Sequence, residues 1–186
     1  MEAETFDAIV QAGIGRHLAV IDLTGLRGLT DDFAAKLLST MPNLKRLSLK
    51  NCRKVTAKTA QLLAVKQIGL ECLDVGGCFN IAPEDVLSLV PKLPALVELH
   101  ASGLQWSNET LHKLVELRDT WKGLSLGFTD QFSQAALRES LIQLGTSLVS
   151  LALPFCENVV DNALLGMLGR NLPLLKYLDL RGNPAL

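Results

Sequence analysis

The apolar residues of this chain fall into one recurring frame. From Leu44 to Cys52 they stand at the first, fourth, sixth and ninth places, as Leu44, Leu47, Leu49 and Cys52, while Arg46, Ser48 and Lys50 fill places between. Such alternation of apolar and polar side chains predicts a half-buried strand. The frame also fits Leu18/Ile21/Leu23/Leu26, Leu70/Leu73/Val75/Cys78, Leu96/Leu99/Ala101/Leu104, Trp121/Leu124/Leu126/Thr129, Leu148/Leu151/Leu153/Cys156 and Leu175/Leu178/Leu180/Asn183. Successive first positions are 25 to 27 residues apart. Self-similarity at such a period marks a stacked repeat array, in which no unit buries its apolar face without its neighbours.

The stretch between strands is as periodic as the strands. A large apolar residue follows three places after the ninth position, as Leu29, Val55, Ile81, Phe132 and Val159, and Trp106 stands one place early in the shortest unit. Thr30, Thr56, Ser107 and Ser133 come next, each able to accept a hydrogen bond from the open N–H groups of a first helical turn, and Pro83 suits a first helical position. Apolar triplets at helical spacing follow: Ala34/Leu37/Leu38, Ala60/Leu63/Ala64, Val86/Leu89/Val90, Leu111/Leu114/Val115 and Leu164/Met167/Leu168. One helix keeps Leu137 and Leu141 but places Ser140 between them, which predicts a thinner core there. Pro42, Pro94 and Pro173 close the helices. Each unit therefore reads strand, loop, helix, loop. Strands joined in this way are parallel, and the expected architecture is an α/β solenoid with a parallel sheet on its concave face and helices on its convex face. First, fourth and sixth positions point into the core, and third, fifth and seventh positions point to the open side. Residues 18–186 form the array of about seven repeats, the last without its helix. Residues 1–17, with Phe6, Ile9 and Val10 on one helical face, form a helical half-repeat or cap that Gly13-Ile14-Gly15 ends.

The unit L-x-x-L-x-L-x-x-C-x-x-[IV]-[TD], followed by a helix and a proline-containing return, resembles the cysteine-containing leucine-rich repeat of F-box/leucine-rich-repeat proteins. Leu44 to Thr56 matches nearly place for place, and Leu148 to Asp161 closely. The resemblance covers residues 18–186 and implies a curved right-handed α/β horseshoe. It further implies a module that recognises protein partners, as the substrate-recognition part of a ubiquitin-ligase-like assembly. Such repeats also occur without an F-box, including in a fungal DNA-repair subunit and in mitotic-exit regulators. This chain departs from the family in having Leu26, Leu104, Thr129 and Asn183 at the cysteine position. Seventeen residues before the first rung are too few for a three-helix F-box, and no polar cap follows Asn183-Pro184-Ala185-Leu186. A ligase role thus implies further sequence, and the bare last strand implies a truncated array or an end covered by a partner.

Composition narrows the function. Hydrophobic residues make up 48% of the chain and charged residues 20%, with a formal charge of −1 and Lys and Arg scattered, so nucleic acid is not an expected partner. No stretch reaches the roughly 18 apolar residues of a membrane span, and the acidic start lacks the features of a secretion signal. A cytoplasmic or nuclear protein is expected. Cys52, Cys78 and Cys156 hold ninth positions and Cys72 a third position. Without a C-x-x-C pair or a histidine spaced to complete one, they predict buried, reduced thiols rather than a disulfide framework, a metal site or a cofactor site.

The residues that the repeat leaves free carry the candidate function. Arg46 and Lys50 form a basic corner across from Asp74 and Glu98, a mixed-sign surface suited to a protein partner and not to a small-molecule substrate. His100 and Tyr177 lie on the same face. Phe128 and Phe155 hold the eighth positions of consecutive rungs, as an exposed aromatic pair or as side chains buried under the loops, and Lys122 and Arg181 are expected to flank them and favour an acidic, partly apolar peptide. Asp74, His100 and Ser125 follow one another in a column, the order of a hydrolase triad, but neither an oxyanion hole nor a glycine-rich elbow accompanies Ser125. Three readings follow: a protein-binding module on the concave face, an architectural scaffold in a larger complex, and, remotely, a hydrolase. The first is preferred, and an enzyme is not expected.

Overall fold

The computed structural model describes residue 8 and residues 10–186. Phe6 and Ile9 of the expected N-terminal helical face lie outside the described residues. The described residues fall into two compact units, one up to Leu96 and the other from Val97 to Leu186.

The first unit holds strands β1 (Val20–Asp22), β2 (Arg46–Ser48) and β3 (Cys72–Asp74), each followed by a helix: α1 (Asp31–Leu38), α2 (Ala57–Lys66) and α3 (Pro83–Leu89). The strands are parallel and in the register that the repeat requires, with Ile21 beside Leu47 and Leu47 beside Leu73. Leu47 and Leu73 on the strands are buried, as are Leu37, Leu38, Leu63, Val86 and Leu89 on the helices. Capping sets the helix starts. Thr30 Oγ1 accepts from the Phe33 N–H at 3.4 Å and Thr56 Oγ1 from the Lys58 N–H at 3.2 Å, and Pro83 occupies a first helical position after Ala82, whose N–H donates to the Asp85 carboxylate at 2.9 Å.

The second unit holds β4 (Glu98–His100), β5 (Gly123–Ser125), β6 (Ser150–Ala152) and β7 (Tyr177–Asp179), with α4 (Asn108–Leu117), α5 (Gln134–Gln143) and α6 (Asn162–Asn171) between them. Its strands are again parallel, with Leu99, Leu124, Leu151 and Leu178 in one register row. Trp106 and Trp121 are fully buried, and each indole N–H donates to a backbone carbonyl, of Ala101 at 3.0 Å and of Leu114 at 3.3 Å. Ser107, Ser133 and Asp161 cap α4, α5 and α6. Ser140 is buried on the core side of α5, and its hydroxyl has no hydrogen-bond partner among the described residues.

The seven parallel strands alternating with helices agree with the fold read from the sequence. The open face is narrower than the pattern implies. Seventh-position Gly76, Gly127 and Pro154 are buried, as are third-position Cys72 and Gly123. At Gly127 the cause is steric: a Cβ there would overlap Pro154 of the next rung, so consecutive turns pack directly on each other.

Candidate functional site

The ninth position explains why this repeat uses cysteine. The Cys52 thiol donates to the Leu23 carbonyl at 3.0 Å and the Cys78 thiol to the Leu49 carbonyl at 2.9 Å, in each case the sixth-position carbonyl of the preceding rung. Asn183 repeats the contact through Nδ2 to Leu153 O at 2.9 Å, and Thr129 donates to Trp106 O at 3.5 Å. Where the ninth side chain carries a donor, it uses it on a buried carbonyl, and Leu26 and Leu104 fill the place without one. Burial pushes the Cys78 thiol up to about 12 and the Cys156 thiol up to about 11, and burial also raises Cys52. These sulfurs are therefore protonated donors and poor nucleophiles. All four cysteines are free and buried.

In the first unit the strand face presents Arg46 and Lys50 as exposed side chains and Asp74 half-buried. Asp74 accepts from the Gly76 N–H at 2.8 Å, and on the neighbouring rungs Thr24 and Ser48 join hydroxyl to hydroxyl at 2.8 Å. A hydrogen bond from Thr24 holds the Asp22 carboxyl below its usual range, so it remains ionised at neutral pH.

In the second unit Glu98 and His100 are half-buried on β4. His100 sits beside Ser125 in register, as the sequence predicts. The Ser125 hydroxyl, however, lies 2.7 Å from the Ser102 hydroxyl, which also accepts from the Gly127 N–H at 3.0 Å. That arrangement fixes a turn and leaves no poised nucleophile. Tyr177 is 68% exposed on β7. Arg181 reaches back to Asp179 through Nε at 2.9 Å and Nη2 at 2.7 Å. This hydrogen bonding lowers the Asp179 carboxyl and raises the guanidinium, so the charge of Arg181 is matched on its own strand.

Phe128 and Phe155 are brought together. Both are exposed, at 54% and 47%, and their rings stack with centroids 4.7 Å apart and planes 23° from parallel. Their backbones stand out more than their rings. All seven eighth positions have a left-handed backbone: Gly25, Asn51, Gly77, Gly103 and Gly182 share it with Phe128 (φ 57°) and Phe155 (φ 54°). The turn needs it so that the N–H can reach the next rung, as Phe128 N–H does to Pro154 O at 2.7 Å and Phe155 N–H to Arg181 O at 2.8 Å. Glycine adopts this conformation freely, whereas a residue with a Cβ is disfavoured by roughly 1–2 kcal/mol. Gly182 makes the pair possible, because a Cβ there would overlap the Phe155 ring.

Lys122 is not part of this patch. It precedes β5 whereas Phe128 follows it, so the two stand at opposite ends of the strand. The side chains that do share the aromatic site are in the loops after the strands. Phe128 and Phe155 line an open recess of about 390 Å³ together with Gln105, Thr129, Asp130, Glu157 and Asn158. Sequence reasoning passed over Gln105, Asp130 and Glu157. Their signal was a shared place, since all three stand at the tenth position of consecutive rungs.

No protein-family model matches the chain. The DNA repair protein RAD7 of Saccharomyces cerevisiae is 30% identical over 141 residues, which cover 75% of this chain and 25% of RAD7. The chain is a leucine-rich-repeat protein related to yeast Rad7. It spans about a quarter of the length of that relative. The fold agrees: the crystal structure of the yeast Rad7 and Elc1 complex superposes with a TM-score of 0.74 at 23% identity, over 97% of this chain and 48% of the matched one. The C-terminal domain of tropomodulin from Caenorhabditis elegans superposes with a TM-score of 0.57 at 17% identity, over 73% of this chain and 90% of its own.

Proposed function

We propose that this Rad7-related chain is a protein-binding module that holds a protein partner on the open face of its strands, as the substrate-recognition part of a ubiquitin-ligase-like assembly. The observation that carries the reading is the division of labour along each strand. Fourth-position Leu47 and Leu73 are at most 1% exposed, while Arg46 beside them is exposed and Ser48 and Asp74 are half-buried, all three polar. A rigid row of polar side chains on strands fixed by a packed core is suited to selecting a partner by charge and register. The structural match with a Rad7 that is in complex with another protein, Elc1, supports protein binding as the general role. The ligase setting rests on the resemblance of the repeat itself.

The test is capture of a partner from native extract by the purified chain, with Arg46→Glu and Glu98→Lys as separate variants. Each is expected to lower capture about tenfold or more, the scale of losing one close charge pair, with an unchanged thermal unfolding curve. Capture equal to wild type in both variants removes the contact from this face.

A further inference from the structure

The repeat itself calls for glycine or asparagine where Phe128 and Phe155 stand, and five of the seven rungs comply. Neither phenylalanine is needed to fill the core, since both rings are about half exposed. Two large side chains are thus kept in a disfavoured backbone conformation on the surface, stacked on each other. The stacking offsets part of that cost, yet it leaves about half of each ring open on the loops, which points to a task at the surface.

The surroundings indicate what kind of group the rings meet. Asp130 and Glu157 are exposed in the same recess, and among the described residues no basic side chain lines it. An aromatic face carries negative charge density, and carboxylates beside it add to the attraction for a cation. The first unit shows the preference directly: the Arg53 guanidinium lies 5.8 Å over the centre of the Phe79 ring, both residues at tenth positions of consecutive rungs. On that loop edge the chain supplies its own cation. On the edge that carries Phe128 and Phe155 the tenth positions are Gln105, Asp130 and Glu157 instead.

We infer that the stacked Phe128–Phe155 pair, with Asp130 and Glu157, is a docking site for an arginine side chain on a segment of a protein partner. The inference rests on the reading of this chain as a protein-binding module and adds a cationic anchor in the loops. The expectation of an acidic ligand depended on Lys122 and Arg181. The first is at the other end of its strand, and the second is paired with Asp179.

The probe is a blocked pentapeptide, Gly-Ala-Arg-Ala-Gly, titrated into the isotope-labelled chain while the backbone amide resonances of residues 128 and 155 are followed. Peptides with citrulline or glutamate in place of arginine are titrated in parallel. Citrulline keeps the planar shape of arginine but not its charge, and it carries a carbonyl acceptor in place of one NH2 donor group. The arginine peptide should shift both amides saturably, with affinity about tenfold above that of the citrulline peptide, as expected when a cation–aromatic contact assisted by carboxylates is lost. The glutamate peptide should cause no shift. Phe155→Gly places at that position the residue used by four other rungs, so it preserves the fold, and it should abolish the response, read at residue 128. Asp130→Asn with Glu157→Gln should weaken binding severalfold and flatten its dependence on salt. Equal binding of the citrulline or glutamate peptide, or arginine binding that survives Phe155→Gly, overturns the inference. No response to the arginine peptide, alongside partner capture that still depends on Arg46, overturns the recess and leaves the strand-face reading standing.

Discussion

At the scale of single residues the chain shows where its repeat is satisfied and where it is not. At the ninth position cysteine, asparagine and threonine have different shapes, yet Cys78, Asn183 and Thr129 all donate to the rung before, to Leu49 O at 2.9 Å, Leu153 O at 2.9 Å and Trp106 O at 3.5 Å, while Cys156 donates within its own rung to Pro154 O at 3.7 Å. Ser140 is the opposite case, a hydroxyl only 1% exposed with no partner among the described residues. The sequence flags the position because a polar residue interrupts the Leu137/Leu141 stripe. An unsatisfied buried hydroxyl is destabilising, and alanine removes it while favouring the helix. Ser140→Ala is therefore expected to raise stability by about 1 kcal/mol, read as a higher midpoint in denaturant with an unchanged slope. A lower midpoint means that a water or a shifted rotamer satisfies the hydroxyl.

At the scale of elements, helix starts are tied to one another as well as to the core. The Asp31 carboxylate at the start of α1 accepts from the Thr56 N–H at 2.9 Å, the Thr56 hydroxyl at 2.8 Å and the Thr59 hydroxyl at 2.5 Å, all at the start of α2. One carboxylate thus ties together two neighbouring helix N-termini, where negative charge is favoured. Burial alone would raise this carboxyl, but the bonds from Thr59 and Thr56 outweigh it and hold the group below its ordinary value. The folded state therefore binds this proton less readily than the unfolded chain. The stabilisation is fully present above the unfolded value near 4 and is lost as pH falls through the lower, folded value. Asp31→Asn, which must turn an amide toward at least one of these donors, is expected to cost about 2 kcal/mol at neutral pH. The difference from wild type should shrink below about pH 4, as the wild-type carboxyl is protonated. A gap that is constant down to pH 2 assigns the effect to packing instead. In the second unit Asp161 caps α6 and also binds Arg138 of α5 at 3.2 Å, so an ionic link joins those helices where the first unit uses threonine hydroxyls.

At the scale of the molecule, the features legible in the sequence are those the core enforces repeatedly. Leu47, Leu73, Leu99, Leu124 and Leu151 recur because each fills the equivalent buried place in its own repeat, and period two fixes which neighbours face out. Helix caps were legible for the same reason. What escaped the pattern was set by the turns after the strands, where three-residue strands end and the backbone reverses. Lys122 and Phe128 are six places apart in sequence, yet a strand lies between them. Gly127 and Pro154 turn inward because adjacent turns pack against each other, and Asp130 and Glu157 converge on the aromatic pair only once that packing is in place. The stacking logic also says what holds the second unit together. Leu151 has β5 on one side and β7 on the other and is 1% exposed. Leu151→Ala is expected to cost about 3 kcal/mol, through lost burial and the cavity left between two strands. Denaturation curves of the variant and the wild type decide it, and a loss of about 1 kcal/mol or less means that neighbouring side chains collapse into the space.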